Sequence, residues 1–249
     1  MRKQILAVMV GLSVALAGCS TQSTESMLQE VKKDTKEIKS GKASIALILK
    51  NEDSSSGDGY EMSGDEKFDP LEFKMSGKFL GVGKGLEVER YRKDGVDYTK
   101  SIVSVNPIWT KEKRSTDNKH ALSFKTESLN TEDSILELLD NKDNWDVTKD
   151  GDKVTFKLKK NAELADKVKK SQIKIAKIKE EVKFSEFDYT IEYVFNTKSK
   201  NIEKLAYEIN GKVDATSSNL ISKGSLEEIN KEVKIELPEE SKTAIEMDK

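Results

Sequence analysis

The stretch from Leu71 to Phe79 limits the fold more than any other. Leu71, Phe73, Met75 and Phe79 alternate with Glu72, Lys74, Ser76 and Lys78. Successive side chains of a strand point to opposite faces, so this segment has one dry face and one wet face. Such a strand belongs to an antiparallel sheet that is covered on one side only. The same period of two runs through Ile45, Leu47 and Leu49, and through Phe187, Tyr189, Ile191, Tyr193 and Phe195. Further strands are expected over Ile202 to Val213 and over Val233 to Leu237, where Pro238 stops the chain. Two turns pair strands into hairpins. Lys93-Asp94-Gly95 joins the Leu86–Val88 strand to Val96 and Tyr98, and Lys149-Asp150-Gly151-Asp152 joins Trp145 and Val147 to Val154, Phe156 and Leu158. Residues 51 to 59 (NEDSSSGDG) read as a loop, as do 111 to 119.

Three segments carry the helical period instead. Met27, Leu28, Val31, Thr35 and Ile38 fall on one face of a helix capped by Thr24 or Ser26 and ended by Gly41. Thr131 to Asn141 is a short helix with Glu132 and Asp133 in its first turn. The segment 161 to 183 sets Leu164, Val168, Ile175, Ile178 and Val182 along one stripe. Strands dry on one face need a cover, and amphipathic helices supply it. The expected class is α+β: a curved antiparallel sheet with helices packed on its concave face.

The front of the chain is of a different kind. Arg2 and Lys3 precede an uncharged run from Ile5 to Ala17. Thirteen residues of helix reach about 20 Å, short of the ~30 Å hydrocarbon core, so the run reads as the apolar region of a secretory signal. Ala17 and Gly18 are small, and Cys19, the only cysteine, follows. The expected division is a signal over 1–18, a lipidated cysteine and polar tether over 19–26, and one domain over 27–249. An ordinary secretory signal with a stray thiol is the alternative. Without Arg2 and Lys3 the chain keeps 41 basic against 45 acidic side chains, net −4. An exported chain with no other cysteine has no disulfide and must be held by packing. A nucleic-acid binder is normally basic overall, so no nucleic-acid partner is expected.

Leu16-Ala17-Gly18-Cys19 resembles the lipobox of bacterial lipoproteins, in which the cysteine carries a diacylglyceryl group and becomes the N-terminus. The order lipobox, tether, helix, hairpins, helix, strands is similar to that of the LolA/LppX-like lipoproteins of the Gram-positive envelope. So are Tyr91 to Tyr98 followed by Trp109, and the ending Asn230 to Pro238. The resemblance implies a half-open barrel wrapped around helices and able to enclose lipid. It also implies anchorage on the outer face of the cytoplasmic membrane, and it brings no catalytic residues.

Other signals are bland. His120, the only histidine, has no local partner pattern, so neither a triad nor a zinc site is expected. Gly81-Val82-Gly83-Lys84-Gly85 joins two strands and lacks the phosphate-loop ending. Asp146 to Lys157 starts like a calcium loop but ends in lysine where a bidentate glutamate is needed. No metal, cofactor or enzymatic activity is expected. Lysines crowd 157 to 183, either as a face for an anionic surface or as ordinary solvated surface. The functional expectation is a membrane-anchored carrier or sensor of a lipid-like apolar ligand. Phe73, Met75, Phe79, Tyr189, Ile191 and Tyr193 are its candidate lining, since within each strand they share a face. The alternative is an envelope interaction protein that docks a membrane or wall partner and holds no ligand.

Overall fold

A computed structural model describes residues 22–51, 57–81, 85–102, 107–113, 123–124, 133–175, 183–214 and 218–247. Its strands are β1 (Ser40–Asn51), β2 (Asp58–Phe68), β3 (Leu71–Leu80), β4 (Leu86–Lys93), β5 (Val96–Ile102), β6 (Ile108–Lys113), β7 (Trp145–Asp150), β8 (Lys153–Leu158), β9 (Phe184–Asn196), β10 (Asn201–Val213), β11 (Ser218–Glu227) and β12 (Ile245–Glu246). They form one 12-stranded sheet in the order β12-β6-β5-β4-β3-β2-β1-β11-β10-β9-β8-β7. Its ends, β12 and β7, do not pair with each other, so the sheet is not closed. All pairings are antiparallel except the short parallel contact of β12 with β6.

The helices are α1 (Thr24–Lys36), α2 (Asp133–Leu136) and α3 (Ala162–Ile175). α2 is one turn, continued by a 3-10 turn over Glu137–Asp140, so among the described residues two of the three expected helices run longer than a turn or two. α1 lies against β9 and β10, and α3 lies against β9. Met27, Leu28 and Val31 of α1 join Leu164 and Val168 of α3 in a single core with the apolar face of the sheet. Each such side chain, fully buried, contributes roughly 1.5–3 kcal/mol. This is the inner face. The stripe of the long helix is described only to Ile175; Ile178 and Val182 lie outside the described residues, as do Cys19, His120 and Thr131.

Several expectations are corrected. Ser23, not Thr24 or Ser26, caps α1, its side chain accepting from the Ser26 N–H at 3.2 Å. The helix therefore begins inside the stretch read as tether. It ends at Lys36, and Gly41 belongs to β1 rather than to a helix end. β2 occupies most of what lay between the expected loop and β3, and β11 was not foreseen. Both hide their period: the inner positions of β2 include Gly64 and Glu66, and those of β11 include Ser222 and Gly224. Conversely, residues 233 to 237 form no strand, although Val233, Ile235 and Leu237 alternate. The segment follows β11 without joining the ladder. The Ile235 carbonyl accepts from Lys93 Nζ at 2.8 Å, and Leu237 packs on a small outer core of Tyr91, Trp109 and Ala244.

The two foreseen hairpins are present. Asp94 and Gly95 both have positive φ, 51° and 74°, as a two-residue turn matching strand twist requires. That turn fixes Arg92 opposite Asp97. The calcium-like segment from Asp146 to Lys157 is the β7–β8 hairpin.

Candidate functional site: the inner face of the sheet

Register makes the inner face one surface. Phe156, Tyr193, Leu205, Leu226, Ala43, Gly64, Met75 and Arg90 stand opposite one another in succession across eight strands, from β8 to β4. All six candidate lining residues fall on this face. Phe73 and Met75 on β3, and Tyr189, Ile191 and Tyr193 on β9, are buried, and Phe79 is half-buried against the same core. The two groups are not neighbours. Four strands, β2, β1, β11 and β10, separate β3 from β9, which at ~4.8 Å per strand puts them about 24 Å apart along the sheet.

The groups also differ in their surroundings. Around β9 the face is tightly filled. The Tyr193 ring meets Trp145 edge-on with centroids 5.5 Å apart, and burial pushes its phenol pKa up. The Tyr189 hydroxyl donates to the Lys159 carbonyl at 2.6 Å, and its pKa is raised too, chiefly by burial. α1 and α3 sit over this region. β3 lies outside their contacts with β9 and β10. There the apolar face runs into charge.

Glu66, Arg90, Arg92 and Asp97 are buried on the inner face, between 0% and 8% exposed. Asp97 takes both arginines: Arg90 Nη2 stands 3.3 Å from Oδ2, and Arg92 Nη1 stands 3.4 Å from Oδ1. The Arg90 guanidinium also lies 5.7 Å from the centre of the Phe73 ring, a cation–π distance. Glu66 sits opposite Phe73, and Phe73 opposite Arg92. Both Glu66 oxygens accept the Phe124 N–H, at 2.9 and 3.0 Å. Phe124 in turn packs its ring 6.2 Å from Tyr207 on β10. Among the described residues, two cations and two carboxylates are thus buried at the β2–β5 end of an apolar surface.

Sequence reasoning missed this quartet, though part of its signal was legible. Arg90 and Arg92 share the parity of Val88, so a strand dry at Val88 must bury them as well. The Lys93-Asp94-Gly95 turn already sets Arg92 against Asp97. Glu66 had no such signal, because its partner comes from 58 residues further along the chain.

Chemically, the face is apolar with fixed charge at one end, and Phe73, Met75, Tyr189, Ile191 and Tyr193 are buried in it. Among the described residues no group of three or more His, Cys, Asp or Glu side chains could hold a metal ion. In the described part of the lysine-rich segment three lysines are ion-paired: Lys160 with Asp188, Lys167 with Glu163, and Lys169 with Asp166. No described helix is long and apolar enough to cross a membrane.

No family model matches the chain, and no curated protein matches it in sequence. Among solved structures it is similar to the Mycobacterium tuberculosis lipoprotein LppX, with 13% identity over 86% of this chain and 100% of that one, at a TM-score of 0.38. It is also similar to a DUF1329 family protein from Desulfovibrio piger, with 7% identity over 84% and 93% of the two chains, at a TM-score of 0.28. Neither likeness assigns this chain a family or an activity.

Proposed function

We propose that the protein is an extracytoplasmic lipoprotein, anchored to the outer face of the cytoplasmic membrane through Cys19, whose half-open sheet takes a lipid-like apolar ligand on its concave inner face. The observation that carries this reading is the reach of the apolar face. It extends from Phe156 and Tyr193 to Phe73 and Met75, well beyond the strands against which α1 and α3 pack. The candidate lining is the β3 side, where Phe73, Met75 and Phe79 adjoin the arginines, together with Tyr189, Ile191 and Tyr193 across the sheet.

One mutant series tests the reading. If Phe73 is only core, Phe73→Ala loses about 3–5 kcal/mol of stability. If it lines a ligand site, the loss is smaller and the affinity for a fluorescent fatty acid or phospholipid falls instead. Tyr193→Ala, under the helices, is expected to behave as core in both measurements. Full core-like cost at Phe73, with no lipid bound by the parent protein and none co-purifying by mass spectrometry, would leave the ligand-free interaction protein.

A further inference from the structure

The two ends of the sheet differ. At one end lie the start of β4, β6 and β7 and the finish of β1, β3 and β5; at the other lie the opposite termini of the same strands. Among the described residues, three of the five strongly exposed large apolar side chains sit at the first end: Leu49 at 46%, Ile102 at 39% and Ile108 at 49%. The other two, Ile245 and Met247, belong to the edge at β12. The opposite rim exposes Asp94, Asp150, Lys198, Lys200 and Glu228, and no large apolar side chain among the described residues.

The N-terminus enters at the apolar end. Glu25, in the first turn of α1, pairs with Lys142, three residues before Trp145 opens β7. α1 then runs toward the polar end, where Asp34 lies near Ile202 at the start of β10. Three residues lie between Cys19 and the cap at Ser23, so an anchor on Cys19, four steps away, lies within about 14 Å of the helix start, at ~3.3–3.6 Å per residue. A lipid on that cysteine brings the apolar rim, and not the polar one, to the bilayer.

We infer that the rim carrying Leu49, Ile102 and Ile108 is a membrane-contact surface that seats its side chains in the interfacial region of the bilayer, which opens the inner face toward lipid. The inference rests on the anchor proposed above. Isolated exposed apolar residues are ordinary, but a group confined to the end nearest the tether is not scattered. Among the described residues the charges around it are of mixed sign, with Lys50, Asp58, and Lys78 paired to Glu87 at 3.7 Å, which favours apolar insertion over attraction to anionic lipid.

The test couples the chain from Cys19 onward, which keeps every described element, through its single thiol to a maleimide lipid in phosphatidylcholine vesicles. The comparison is the same chain capped with a soluble maleimide. Amide hydrogen exchange around Leu49 and Ile108 should slow several-fold on the vesicle, with no change over 197–201. Leu49→Glu with Ile108→Glu should abolish that slowing while leaving exchange elsewhere intact. Unchanged exchange at the apolar rim, or slowing at the polar rim, overturns the inference. Because the tether is chemical, the result stands apart from whether cells lipidate Cys19, which the mass of the N-terminal peptide from membranes reports separately.

Discussion

Asp97→Asn gives the sharpest test of the charged end of the inner face. Asp97 is 4% exposed and faces two buried guanidinium groups at 3.3 and 3.4 Å. At an effective dielectric of 20 each attraction is roughly 5 kcal/mol, most of it offset by the desolvation of three ions. Removing the shared anion keeps the desolvation cost of both arginines and takes away the share of the compensation that Asp97 supplies, so the expected loss is about 3–5 kcal/mol. For a chain of this size that is a fall in Tm of about 6–20 °C, at ~2–4 °C per kcal/mol. Glu87→Gln is the control. Its pair with Lys78 spans 3.7 Å between adjacent strands of the same sheet, with both side chains more than half exposed, and its loss should stay below about 1 kcal/mol. Urea denaturation of both variants at low and high salt separates the cases, because salt screens an exposed pair and leaves a buried one nearly untouched. An Asp97→Asn variant within ~0.5 kcal/mol of the parent, or a loss that salt removes, would refute the burial argument.

Gly224→Ala should destabilise by about 1–3 kcal/mol, because its Cβ would stand 2.3 Å from the Tyr207 ring, which is buried and packed on Phe124. Tyr207→Leu in the same chain should reduce that penalty, and simple additivity in the double-mutant cycle would contradict the clash. Burial, and then a hydrogen bond to Glu89, push the Tyr91 phenol up to about 12; the unfolded chain ionises near its ordinary value and so releases the proton first. Stability is therefore expected to be insensitive to this group at neutral pH and to fall as pH rises from about 10 toward 12, with Tyr91→Phe flattening part of the slope in alkaline denaturation curves. Cys19→Ala should abolish fatty-acid incorporation and release or mis-process the protein, read by metabolic labelling and cell fractionation; normal labelling in that variant would exclude the anchor.

What the sequence by itself determined is local and periodic. The alternation through Phe73 and Met75, and through Tyr189, Ile191 and Tyr193, marked the inner face, because a strand can bury a side only at every second residue. Asp94-Gly95 specified its hairpin, because only that backbone geometry lets two twisted strands pair across two residues. The tertiary structure decided the rest. β11 escaped detection because Gly224 is small only to make room for Tyr207, a residue of another strand. β2 escaped because Glu66 points inward to the N–H of Phe124, and a sequence window assigns a carboxylate to water. The segment 233 to 237 has a strand's alternation but no ladder. Its apolar residues pack without one, Leu237 against the outer core around Tyr91 and Trp109, and alternation reports which side is dry without saying which backbone supplies the hydrogen bonds. The same limit applies to the site. Period placed the candidate lining on one face, while the pairing order alone set β3 and β9 four strands apart and brought Arg90, Arg92, Asp97 and Glu66 together beside one of them.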